Sequence, residues 1–329
     1  MQYNIVVVGA TGQVGGQVIR ELEARAFPVG KLLAFASEES AGESVEFCAE
    51  MVLVQRLDET AFIGADIVFF CVPEHVCSAH LPQAEKQGAF CIDLSGAARH
   101  AAAPFIVSEL CSTQQLKSLT TVVSPPVAAI QAALLLTPLQ VKFGIKEVTL
   151  TVLQSASSLG GWGVNALRNQ SGALLNGRPL DGKDLPVDAP AQLAYNLTPV
   201  SDGGDVYPGV DAICSALCQL LGQPEISCAA ELLQAPIFYA NGLSVMCTVA
   251  AEVDAEVVSA CLLSQAGVNV VSTPLMREFG TSTAPQYTEV PVIVTRVANK
   301  QHITLWSVID NLRKGSALNA VQIAETFIA

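Results

Sequence analysis

The amino-acid sequence predicts an α/β fold: a Rossmann-like, doubly wound parallel sheet carrying an inserted α+β domain. Three observations support it. A β-branched apolar run at residues 4–8 breaks into Gly9, Gly12 and Gly15 and resumes with helical apolar spacing over residues 17–22. Short apolar runs then alternate with helical segments to about residue 136, the pattern of a parallel sheet whose strands are covered on both faces. From Lys146 onward the runs lengthen and alternate, as strands of a mixed or antiparallel sheet do.

The first strand ends in a turn built for phosphate. The first N–H groups of the following helix have no intrahelical partners, the helix dipole is positive there, and glycines let a pyrophosphate approach the backbone. Gly9, Thr11, Gly12, Gln13 and Val14 are therefore the candidate cofactor-binding residues. The spacing is G-x-x-G-x-x-G, not the usual G-x-G-x-x-G, and a purely structural turn is the alternative. Residues 32–36 form a second strand, followed by Ser37. In a doubly wound sheet this strand end meets the adenosine ribose, where Glu38 or Glu39 would repel a 2′-phosphate and favour NAD over NADP. The alternative is that both are solvated loop glutamates.

Residues 66–72, 90–95 and 120–124 are further buried strands, with a helix at 78–87. Pro125 and Pro126 break the chain before a helix at 127–136. Beyond Lys146, strands are expected at 147–154, 237–239, 243–249 and 290–294, and helices near 163–175, 210–221 and 255–265. Such a unit leaves one sheet face to be covered, which points to a dimer. An apolar helix at 317–327 closes the chain.

Composition excludes several classes of function. With 329 residues the chain can bury more than one core. A net charge of -13 argues against nucleic acid and against anionic membrane surfaces. No segment has the length of a membrane span and Met1-Gln2-Tyr3-Asn4 lacks a basic leader, so a cytoplasmic protein is expected. The ten cysteines include no C-x-x-C pair. Cys214 and Cys218 have i,i+4 helical spacing without nearby histidines, and free buried thiols are the expected state. His75, His80, His100 and His302 are scattered over expected loops and strand ends, none at metal-ligand spacing, so no metal is expected.

Three stretches are similar to one family. Val8-Gly9-Ala10-Thr11-Gly12-Gln13-Val14-Gly15, the Ala36-Ser37-x-x-Ser40-Ala41-Gly42 segment, and above all the long run from Asp310 to Glu325 resemble the aspartate-semialdehyde dehydrogenases. The resemblance covers essentially the whole chain. It implies a dinucleotide-binding domain at 1–128 plus 311–329, to which the C-terminal helix returns, and a dimerisation or substrate domain at 129–310. It also implies a homodimer, NAD or NADP as cofactor and, as a further option, association with an active paralogue.

Family enzymes reduce an acyl phosphate through a cysteine thioester, a histidine that handles the proton, and a nicotinamide hydride. Those residue types suit the task, because a thiolate is both nucleophile and leaving group and imidazole titrates near neutrality. At the positions matching the family motifs this chain has Val127 for the cysteine, Asn241 for the histidine and Gln234 for the substrate-gripping arginine. Gln154, Arg99 and Asn311 match an active-site glutamine, a phosphate-binding arginine and a nicotinamide contact. Pro73 and Glu74 replace part of a cofactor loop, and Glu39 replaces an arginine. Losing a nucleophile or its base costs roughly a million-fold, so the expectation is a paralogue without the family reaction. An altered-substrate oxidoreductase using Gln154 and Arg99 is the alternative, and Cys71 or Cys111 are the thiols that could substitute.

Overall fold

The computed structural model describes residues 1–58, 60–180, 192–200, 209–273 and 289–329, and forms two compact units, Met1–Pro125 with Ser316–Ala329, and Pro126–Gly315. The first unit runs β1 (Tyr3–Val8), α1 (Gln13–Ala24), β2 (Val29–Ala36), β3 (Ser44–Phe47), β4 (Glu50–Arg56), β5 (Ile67–Phe70), α2 (Glu74–Lys86), β6 (Phe90–Asp93), α3 (Thr113–Lys117) and β7 (Thr121–Val123). The strand order is β3-β4-β2-β1-β5-β6-β7, parallel throughout except for the β3–β4 hairpin. β1 reads as an unbroken apolar run because both faces are covered: Ile5 and Val7 enter one core, Val6 and Val8 the other.

The second unit starts with α4 (Val127–Phe143), followed by β8 (Ile145–Gln154), α5 (Gly160–Leu175), β9 (Thr198–Pro199), α6 (Val210–Leu220), β10 (Ser227–Gln234), β11 (Asn241–Val249), α7 (Ala255–Leu263), β12 (Val268–Val270), β13 (Val290–Ala298) and β14 (His302–Ile309). Its sheet is mixed, in the order β12-β13-β14-β11-β8-β10-β9, with parallel pairs β8–β10 and β12–β13. Residues Ala128 to Leu136 of α4 are all buried, and the one polar member, Gln131, donates to Ser307 Oγ at 2.7 Å. The sheet face holding Val148, Leu150, Val152, Val245 and Leu305 is buried, whereas Met246 on the opposite face is 51% exposed.

A π-helical turn, Arg313–Ala317, leads into α8 (Leu318–Ile328), which packs on α1 and α3 within the first unit. Asn319 is fully buried there and satisfied on both ends: Nδ2 donates to Ile106 O (3.2 Å) and Ser124 Oγ (3.0 Å), and Oδ1 accepts from Ser108 N (3.1 Å). Arg25, at the end of α1, grips Glu325 through both guanidinium arms at 2.7 and 2.6 Å.

Several sequence expectations need correction. Residues 237–239 form no strand. Pro236 has no N–H to donate to a ladder, and the carbonyls of Ile237 and Phe238 instead accept from Ala156 N (2.7 Å) and Ser157 N (3.0 Å). α2 begins at Glu74, with Pro73 as its cap, so His75 and His80 lie on a helix and not in a loop; of His100 only the backbone is described, in a 3-10 helix. The hairpin β3–β4 and strands β10 and β14 were not anticipated.

Candidate functional site

In the first unit the turn after β1 is fixed by backbone contacts that only glycine permits. Gly9 sits at φ +87°, and a Cβ there would lie 2.3 Å from Cys71 O; a Cβ on Gly15 would lie 2.1 Å from Gly9 O. Gly12 is the N-cap of α1 and brings no side-chain cap, so the helix presents bare N–H groups, with Gln13 and Val14 its first two residues and Thr11 exposed on the turn. Gln13 Oε1 is buried without a hydrogen-bond partner beside this turn. A cavity of about 700 Å³ adjoins it, lined among others by Thr11, Gln13, Arg20, Glu23, Glu43 and Glu46.

Ser37 caps a short 3-10 helix, Glu38–Ser40, whose glutamates are exposed; Glu38 lies 3.4 Å from Arg56. At the end of β6, buried Asp93 organises the next loop. Its carboxylate accepts from Ser95 N (2.7 Å), Ser95 Oγ (2.6 Å) and Ala98 N (2.8 Å), which holds the 3-10 helix that carries Arg99. Arg99 is exposed and its guanidinium lies 3.5 Å from the Glu74 carboxylate.

In the second unit four strand ends meet at one sheet edge. Gln154 and Gln234 are paired last residues of the parallel strands β8 and β10, while Asn241 begins β11 opposite Ile309, the last residue of β14. The loop after β8 supplies Ser155, Ser157 and Ser158. Asn241 Oδ1 accepts from Ser155 N (3.1 Å), Ser155 Oγ (3.2 Å) and Ser158 Oγ (3.3 Å). Asn311 Oδ1 accepts from Ala240 N (3.0 Å) and Ser157 Oγ (3.1 Å). Gln234 Nε2 donates to the carbonyls of Gln154 and Ala235, both at 3.2 Å. These side chains are all neutral and, apart from half-buried Ser158, buried, and Gln154 Oε1 has no partner among the described residues. Val127 heads α4, where the first helical N–H groups lie, and packs against Gly315 so tightly that a Cβ on Gly315 would come within 2.6 Å of Val127 Cγ1.

Two thiols of the first unit, Cys71 and Cys111, are held protonated. Burial, with Asp93 adding to it, pushes Cys71 far above the ordinary thiol range. Burial and then Glu109 push Cys111 up to about 11. Only about one part in ten thousand of such a thiol is ionised at neutral pH. Among the described residues no group of His, Cys, Asp and Glu could hold a metal, and no helix is long and apolar enough to cross a membrane.

Comparison with known proteins decides the family. Residues 4–119 match the semialdehyde dehydrogenase NAD binding domain, and residues 136–314 match the semialdehyde dehydrogenase dimerisation domain. The chain belongs to the semialdehyde dehydrogenase family. It is 33% identical to a USG-1 protein homolog of Azotobacter vinelandii, over 99% of this chain and 97% of that protein. It is 32% identical to an aspartate-semialdehyde dehydrogenase of Rickettsia conorii, over 99% and 98%. Aspartate semialdehyde dehydrogenase II of Vibrio cholerae has a similar crystal structure, with TM-score 0.88 and 28% identity over 100% of this chain and 99% of that one.

Within this semialdehyde dehydrogenase fold, the structure brings Gln154, Asn241 and Asn311 to one polar cluster and places Gly9, Thr11, Gly12, Gln13 and Val14 on one turn. Sequence reading missed the serines that complete the cluster. The available signal was the hydroxyl run Ser155-x-Ser157-Ser158 directly after a strand. It also missed that Glu74 is the ion-pair partner of Arg99.

Proposed function

We propose that this chain is a semialdehyde dehydrogenase family protein that retains a dinucleotide cradle and assembles as a homodimer but does not carry out reductive dephosphorylation. The observation that carries the reading is Val127 at the head of α4, packed on Gly315 where the family resemblance sets a nucleophilic cysteine. A valine offers no lone pair for attack on an acyl carbon. Asn241 binds three donors as a neutral amide and cannot pass a proton near neutral pH, and Gln234 spends its amide on two backbone carbonyls instead of offering a guanidinium fork. The raised thiols of Cys71 and Cys111 argue against a substitute nucleophile.

The residues of the turn fit a dinucleotide. Gly9 and Gly15 let the strand end and α1 pack closely enough to form the turn, the N–H groups behind Gly12 would receive a pyrophosphate's charge, and Gln13 Oε1 is an acceptor awaiting a donor. Bound nicotinamide would supply or accept a hydride. Exposed Glu38 and Glu39 support NAD over NADP. Glu74 places a carboxylate 3.5 Å from Arg99, where it competes with a phosphate and counts against the altered-substrate oxidoreductase. Met246, 51% exposed on the sheet face opposite the core, supports pairing of two copies, and the same face would serve a hetero-dimer with an active relative.

The test is to assay the purified full chain with aspartate semialdehyde, phosphate and NAD or NADP, following nicotinamide absorbance, beside binding titrations of both cofactors. Binding without turnover is expected. Turnover at about 1 per second or faster would overturn the non-catalytic reading. Failure of both cofactors to bind would overturn the cradle and leave only the scaffold.

A further inference from the structure

One group of side chains lies apart from the cradle and the polar cluster: Cys214 and Cys218 on α6, and Cys228 on β10. Local geometry brings them together. α6 ends in a Schellman closure, with Gly222 N donating to Gln219 O at 3.0 Å and Gln223 N to Cys218 O at 3.0 Å, and Gly222 taking φ +65°. The chain turns back at once, and α6 packs on β10. With Cys218 at Ile226, two residues of strand from Ile226 advance about 6.6 Å, while four residues of helix from Cys218 back to Cys214 cover about 6 Å, so Cys228 draws level with Cys214. Alternation along β10 fits this: Ser227 and Ala229 are exposed, whereas Cys228 and Ala230 are half-buried on the face that also holds buried Leu232.

The three thiols are neighbours: Cys214 and Cys228 interact with each other, Cys218 interacts with both, and Cys218 Sγ donates to Ile226 O at 3.8 Å. Cys214 and Cys228 are partly accessible to solvent, and Cys218 is buried. Interaction with Cys228 holds the Cys214 thiol below its ordinary range, against opposing burial and Asp211. Cys214 and Cys228 are the two half-exposed members, open to a small oxidant, unlike Cys77, Cys91 and Cys247, which burial keeps protonated.

We propose that Cys214 and Cys228 are a peroxide-responsive pair that closes a reversible disulfide between α6 and β10. The Cys214 sulfur attacks one oxygen of hydrogen peroxide, the O–O bond breaks, and the other oxygen leaves as water with the thiol proton, giving a sulfenic acid. The Cys228 sulfur then attacks the Cys214 sulfur, the S–O bond breaks, and its oxygen leaves as a second water with the remaining thiol proton. Two thiols are oxidised by two electrons and one hydrogen peroxide is reduced to two waters. Attack by a dithiol reductant reverses the bond.

The sequence provides a clean readout. Cleavage after Glu225 separates Cys214 and Cys218 from Cys228, so the two fragments remain joined only by a disulfide. The full chain is treated with hydrogen peroxide, its remaining thiols are alkylated in denaturant, and it is cleaved there without reductant and analysed by mass spectrometry. The expected result is loss of two of the ten thiols and a joined fragment pair that a reductant separates. Joining should persist in Cys218→Ser and vanish in Cys214→Ser and Cys228→Ser. Mapping on the unaltered chain needs no variant to fold. Oxidation confined to exposed Cys48, or no joined fragments, would overturn the proposal, as would joining that survives Cys214→Ser.

Discussion

Neighbouring glycines in α1 should respond in opposite directions to the same added methyl group. A Cβ on Gly15 would sit 2.1 Å from Gly9 O and 2.8 Å from Gly9 C, rigid backbone atoms of the turn. A Cβ on Gly16 meets nothing nearer than 3.7 Å, ordinary contact distance. Both positions are helical, so alanine gains about 1 kcal/mol of intrinsic helix preference at each. At Gly16 that gain stands alone. At Gly15 the helix must move off the turn, and overpacking against backbone costs about 3 kcal/mol or more, leaving a net loss of about 2. With a midpoint shift of roughly 3 °C per kcal/mol for a unit of this size, Gly15→Ala should lower the first-unit melting temperature by about 6 °C and Gly16→Ala should raise it by about 3 °C. Scanning calorimetry of the full chain reads both. Gly15→Ala should also lose dinucleotide affinity, since moving α1 removes its N–H groups from the cradle. A Gly15→Ala protein as stable as the parent, or a Gly16→Ala protein as damaged as Gly15→Ala, would refute the packing argument.

Asn319→Ala should destabilise the first unit by about 2 to 4 kcal/mol, because Ser108 N, Ile106 O and Ser124 Oγ all lose their partner inside the core; chemical denaturation measures it. Stability should fall steeply in alkali. Burial pushes Cys91 and Cys247 up to about 12, so from about pH 9 the unfolded chain releases thiol protons that the folded chain retains, costing roughly 1.4 kcal/mol per pH unit per thiol. Below the unfolded thiol value neither state is ionised and these thiols contribute no slope, and Cys91→Ala should flatten the alkaline limb of a stability profile. Met246→Glu should convert the dimer to monomer in light scattering while leaving the circular dichroism spectrum unchanged, since the side chain is 51% exposed in the single chain.

The first unit was legible wherever a strand is buried on both faces, because β1 and β5 then appear as unbroken apolar runs. The hairpin β3–β4 escaped because it lies at the sheet edge and is mostly solvated, so Glu46, Glu50 and Arg56 dilute its alternation. β10 escaped because its alanines carry little hydrophobic signal. Ile237–Phe238–Tyr239 misled in the other direction: three apolar residues after a proline resemble a strand, yet their carbonyls serve the loop of Ser155 and Ser157. Individual site positions could be read from motif matches. Their partners could not, since Asn241 meets Ser155, and Arg99 meets Glu74, only through strand order and loop closure.

The polar cluster at the strand ends also bears on how such a protein ages in evolution. Active sites are commonly kept at the expense of stability, because a buried imidazole or guanidinium must surrender its water for contacts that become complete only when substrate arrives. Asn241 and Asn311 satisfy their acceptors within the chain itself, and Val127 fills its contact with carbon. Contacts completed within the chain in this way favour the stability of the scaffold itself. On the non-catalytic reading proposed above, introducing Val127→Cys, Asn241→His and Gln234→Arg together should lower the melting temperature before any turnover appears.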